Sequence, residues 1–105
     1  MIVKVSKVFA KFMNQTAAEM GLNFHASVVE MSEPVYNYQV GNITGKWSDY
    51  NDKTDKFRAI MVEYPADCYA CPLFFSTSRL NTLFNRFAVE TVEDLKNMIR
   101  EVCEI

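Results

Sequence analysis

Residues 56–64, KFRAIMVEY, put apolar side chains on both faces of any strand they form: Phe57, Ala59 and Met61 on one, Ile60, Val62 and Tyr64 on the other. Such a strand cannot leave either face in water, so it belongs in the middle of a sheet or under cover on both sides. Pro65 should end it. Upstream, Val35–Val40 alternates, with Tyr36, Tyr38 and Val40 facing one way and Asn37 and Gln39 the other. That period predicts a strand. A turn at Ser32-Glu33-Pro34 would join it in a hairpin to a first strand over residues 23–31, in which Phe24, Ala26 and Val28 share a face. Gly41 and Gly45 would then bulge or bend the chain. Between the two apolar stretches lies a polar, turn-rich segment, TGKWSDYNDKTDK, with its tip at Asn51-Asp52-Lys53-Thr54.

The flanks read as helices. Val5, Val8, Phe9, Phe12, Met13, Thr16, Ala17 and Met20 recur at helical period over residues 5–20, with Ser6 placed to cap and Gly21 to stop the helix. The first residues, MIVKV, could instead add a short edge strand. Leu73-Phe74-Phe75 is either a fourth short strand or a buried loop. Leu80, Leu83, Phe84 and Phe87 mark a helix capped by Thr77 or Ser78. In the last helix Thr91 caps, Asp94 sits at the box position, and Val92, Leu95, Met98, Ile99 and Val102 turn inward. The order is α-β-β-β-(β)-α-α, an α+β fold: an amino-terminal helix, a three- to four-stranded antiparallel meander sheet and two carboxyl-terminal helices, within one domain over residues 1–105.

Composition narrows the function classes. A net charge of −2 creates no global field towards nucleic acid or membrane. Its distribution is uneven: residues 1–18 hold Lys4, Lys7 and Lys11 without an acid, whereas the last helix region is acidic. No apolar run approaches the roughly 20 residues of a membrane span, and the lysine-broken start does not read as a secretory leader. Three cysteines, an odd number in a chain of 105 residues that needs no staples, point to a reducing, cytoplasmic setting.

Catalytic and metal motifs find little purchase. Cys68-Tyr69-Ala70-Cys71-Pro72 is a C-x-x-C, but the proline and the missing βαβ alternation argue against redox chemistry. Cys68 and Cys71 would be half of a zinc site, with His25 and Cys103 at unmotivated spacing. His25 is the one histidine, and no G-x-S-x-G, phosphate loop or H-E-x-x-H pattern occurs. The run Asp49–Asp55 begins like a calcium loop but has Lys53 at a ligand position, no glycine, and Ile60 where the closing Glu should stand. The expectation is therefore no cofactor, and catalysis has no positive support in the sequence.

Aromatics and lysines concentrate elsewhere. Tyr36, Tyr38, Trp47 and Tyr50 lie close in sequence to Lys46, Lys53 and Lys56. Rings with an apolar body and a polar tip suit a protein interface; interleaved with cations they also suit bases and phosphates. The sequence thus predicts a small adaptor or regulator that binds another protein through Trp47, Tyr50, Tyr36, Tyr38, Lys46 and Lys53, with homodimerisation left open. The alternative is nucleic-acid binding through Lys4, Lys7, Lys11 and the same loop.

Overall fold

The strand apolar on both faces is the centre of the sheet. In the computed structural model, which describes residues 3–66 and 72–103, β3 (Lys56–Glu63) pairs antiparallel with β1 (His25–Met31) along its length, His25 opposite Glu63 and Met31 opposite Phe57. Its other edge takes β2 (Tyr50–Asn51) at the start and β4 (Leu73–Phe75) further on, with Phe75 opposite Ile60. β2 and β3 form a hairpin whose tip falls at the expected residues, closed by the Thr54 N–H on the Asn51 carbonyl (3.3 Å). Helices α1 (Lys7–Glu19), α3 (Thr77–Phe87) and α4 (Val92–Val102) complete an α+β architecture with the predicted order of helix, antiparallel strands and two carboxyl-terminal helices. Among the described residues no helix is long and apolar enough to cross a membrane.

Alternation along β3 divides the interior in two. Ile60 and Val62 join Ala26, Phe75 and the buried stripes of α1, α3 and α4 in the larger core. Phe57 and Ala59 join Met31 in a smaller core on the opposite face, closed by Tyr36, Val40, Tyr50 and Phe74. All four β3 side chains are buried. The apolar pattern on both faces is satisfied by two separate covers.

One of those covers is the segment expected to be a second strand. Glu33–Gln39 is a helix, α2, and the hairpin with residues 23–31 does not form. Pro34 stands in the first turn, where its missing N–H costs no hydrogen bond, and Glu33 sits at the positive end of the helix. The Tyr36 N–H reaches the Ser32 carbonyl (2.9 Å) and the Val40 N–H the Tyr36 carbonyl (2.8 Å). Helical period puts Tyr36 and Val40 against the sheet and turns Tyr38 out, 86% exposed. Gly41 (φ 106°) and Gly45 (φ 86°) are not bulges in a strand; they shape the connection from α2 to a 3₁₀ turn over Lys46–Asp49.

Helix ends follow the predicted chemistry closely. The Ser6 hydroxyl accepts the Phe9 N–H (3.1 Å), and Gly21 (φ 72°) follows α1. Thr91 and Asp94 exchange the two bonds of a capping box. α3 starts one residue earlier than predicted, with Ser76 accepting the Arg79 N–H (3.0 Å). Residues 3–5 add no strand. They are strapped to α3, where the Asn81 amide holds both backbone groups of Val3 (2.9 and 2.8 Å) and the Thr77 hydroxyl accepts the Val5 N–H (3.0 Å). Two inward assignments fail: α1 buries Ala10, Met13, Thr16 and Ala17 but leaves Val8 and Phe12 exposed, and Val92 is exposed at the start of α4. Cys68 and Cys71 lie outside the described residues. Replacing the cap of the last helix, Thr91→Ala, should cost about 1 kcal/mol. That lowers the Tm by roughly 4–8 °C in a thermal melt followed by circular dichroism.

Candidate functional site

The loop that drew attention in the sequence is anchored by a buried carboxylate. Asp49, at the end of the 3₁₀ turn, is buried and fully engaged. Its Oδ2 accepts from the Tyr36 hydroxyl (2.7 Å) and the Thr77 N–H (3.2 Å), and its Oδ1 from the Thr77 hydroxyl (2.6 Å). Thr77 is the first residue of α3, so the negative charge also sits at the positive end of a helix. Burial, and then the hydrogen bond to and charge of Asp49, push the Tyr36 phenol far above its usual range. Tyr36 is thus part of the scaffold, with no surface for a partner.

Around this anchor the aromatics converge on Phe57. Ring centroids of Tyr36, Trp47 and Tyr50 lie 5.1, 5.1 and 5.2 Å from it, and Trp47 meets Tyr50 at 5.3 Å. Trp47 remains 60% exposed, so it is a lid over Phe57 with one face in solvent. Tyr50 is half-buried and donates its hydroxyl to Asp55 (2.7 Å), which raises its phenol pKa. Lys46 is consumed locally: its ammonium pairs with Glu33 (2.8 Å), donates to Asn37 (3.1 Å) and Asn42 (3.3 Å), and lies 5.9 Å from the Trp47 ring. Tyr38 makes no ring contact among the described residues, and the Lys53 side chain is exposed. The six residues expected to act together therefore separate into a core tyrosine, a tied lysine, a half-exposed Trp47–Tyr50 pair and two solvated side chains.

An apolar concavity lies elsewhere, and the sequence reading did not place it. A groove of about 420 Å³ opens between α1 and the start of α4, lined by Val8, Phe9, Phe12, Phe84, Val92 and Leu95, with Lys4 and Glu90 among its polar members. Val8 is 80%, Phe12 43% and Val92 44% exposed. The signal was present: Val8, Phe9, Phe12, Met13 and Ala17 make a wide apolar stripe on α1, and only Met13 and Ala17 of these are fully buried. Cys103, half-buried near the end of α4, has its thiol pushed up to about 11 by burial, which disfavours the reactive thiolate. Among the described residues no group of three or more His, Cys, Asp or Glu side chains could hold a metal ion. Compared with protein-family models, curated proteins and solved structures, the chain matches none.

The tyrosine–carboxylate bond is open to direct test. Tyr36→Phe removes one donor from a buried charge and should cost about 1–3 kcal/mol in urea unfolding. The raised phenol pKa sets the sign of the pH effect. Below the unfolded value near 10 the bond contributes fully; as pH rises past it, the unfolded chain ionises first and the contribution is lost. Tyrosine absorbance in the alkaline range should therefore show Tyr36 ionising only with unfolding, a phase absent from Tyr36→Phe.

Proposed function

We propose that the protein is a protein-binding module that receives an amphipathic helix of a partner in the groove between α1 and α4. The observation that carries this reading is the concave ring of exposed Val8, Phe12 and Val92. Apolar surface left in water forgoes about 25 cal/mol per Å², and these side chains add nothing to either core. The volume is in the range of ligand sites, and the lining is apolar with few polar groups. Charge selects the occupant. Exposed Lys4, just before α1, and exposed Glu90, just before α4, are the charged side chains in the groove lining. A helix with an apolar stripe, acids on one flank and bases on the other matches both walls. This moves the interface away from Trp47 and Tyr50, whose rings pack on one another and on Phe57. The odd cysteine count supports a reducing, cytoplasmic setting for such a module.

The test uses a designed 18-residue helix with a leucine stripe, glutamates on one flank and lysines on the other, titrated into isotopically labelled protein. Amide shifts should concentrate at Val8, Phe12, Val89 and Val92. Val8→Glu should abolish them while stability changes by no more than about 0.5 kcal/mol, because the side chain is solvent-exposed. Shifts centred elsewhere, or equal affinity in Val8→Glu, would overturn the reading. So would a concentration-dependent dimer that Val8→Glu dissolves in sedimentation, which assigns the groove to a second copy.

A further inference from the structure

Opposite the aromatic side of the sheet, the chain gathers cations that the protein leaves unpaired. The segment Lys4–Lys7 runs past the β2–β3 hairpin, and two adjoining hollows of about 280 and 490 Å³ open there. They share Asn51 and Arg58 as a common wall. Lys4, Lys53 and Ser48 line the first, Lys7 and Ser6 the second. Among the described residues, Lys46, Arg86, Lys96 and Arg100 all have carboxylate partners. The side chains of Lys4, Lys7, Lys53 and Arg58 have neither an ion pair nor a hydrogen bond there.

Arg58 is the decisive member. It is half-buried, and its cross-strand neighbour is Glu30, the natural partner for a guanidinium. Glu30 instead accepts from the Thr54 hydroxyl (2.7 Å) and the Asn51 amide (3.2 Å), with only the longer-range field of Arg58 and Lys56 on it. A guanidinium with five N–H donors is thereby left on the wall of a concave polar site with no ion pair or hydrogen bond of its own among the described residues, next to ammonium groups from α1 and the hairpin. That arrangement suits a tetrahedral oxyanion taken bidentately by Arg with lysines as point charges.

We propose that this cleft binds the phosphate group of a small phosphomonoester, with Arg58 as the fork, Lys4, Lys7 and Lys53 neutralising its charge, and Ser6 and Asn51 as neutral donors. The acids around it leave room for an anion. Asp49 spends both oxygens on Tyr36 and Thr77, and Glu30 is turned to the hairpin. Asp52, exposed in the first hollow, is the one carboxylate in the lining with no hydrogen bond or ion pair among the described residues. The site is too small for a polynucleotide track, which draws on roughly 6–10 phosphate contacts.

The experiment titrates inorganic phosphate and phosphoserine into labelled protein and follows amide and arginine side-chain resonances. Saturable shifts at Lys7, Asn51 and Arg58 are expected. Arg58→Gln and Lys7→Gln should each weaken affinity at least tenfold, and Asp52→Asn should tighten it. Lys11→Gln, on the same helix but outside both hollows, should leave affinity unchanged. Tighter binding of phosphoserine than of phosphate assigns the second hollow to the organic part; equal binding assigns the site to the phosphate alone. Lack of saturation, equal losses in Lys11→Gln and Arg58→Gln, or tighter binding of a twelve-residue oligothymidylate would overturn the site. Unchanged thermal melts separate loss of ligand from loss of fold.

Discussion

A carboxylate removed from water costs several kcal/mol unless donors replace its hydration, and the arrangement around Asp49 is what meets that cost. Its donors come from α2 (Tyr36) and from both the backbone and side chain of Thr77 at the start of α3. Thr77 passes the tie on to Val5 through the same hydroxyl. One buried charge therefore fixes the 3₁₀ turn, the short helix over the small core, the first turn of α3 and the amino-terminal strap. The dependence runs one way, because the strands and long helices do not need Asp49 to bury their stripes, whereas the loop elements do.

The sheet explains why such a tie is required. β3 is apolar on both faces, so the chain has to supply two covers. Three long helices serve the larger face. For the other, the described chain offers a seven-residue helix and a four-residue turn, pieces too short to be stable by themselves. Phe57 becomes the point on which Tyr36, Trp47 and Tyr50 settle, and the Lys46–Glu33 pair stitches the turn to α2. The exposure of Trp47 follows from this economy: it finishes the small core from outside and keeps one face in solvent.

How much of this could be read from the sequence depended on whether the deciding contact was local. Caps at Ser6 and Thr91 are read from three or four neighbouring residues and were placed correctly. β3 was legible because its two apolar faces lie in nine consecutive residues. Val35–Val40 was misread because Tyr36, Tyr38 and Val40 fit period 2, while Tyr36 and Val40 alone fit a helix. What settles the choice is a hydrogen bond to Asp49, thirteen positions away. The same limit hid the residues of the two proposed surfaces. Whether Val8 and Phe12 reach a core depends on how α1 is rolled against α4, and Arg58 meets Lys4 and Lys7 only through strand register and the strap.

The two surfaces with functional promise share one foundation. Lys4 lines both the apolar groove beside α1 and the basic cleft beside the hairpin, so the strap at residues 3–7 is the seam between them. The strap is held by side-chain bonds from Asn81 and Thr77 and by burial of Val3 and Val5, not by membership of the sheet. Thr77 in turn is oriented by Asp49. The shared edge of the two surfaces therefore leans in part on the same buried carboxylate that locks the small core, while the long helices that form the rest of the groove do not. A change at Asp49 would act on the cleft, which it lines, and through Thr77 and Val5 on the strap edge of the groove, without touching a side chain that lines the groove.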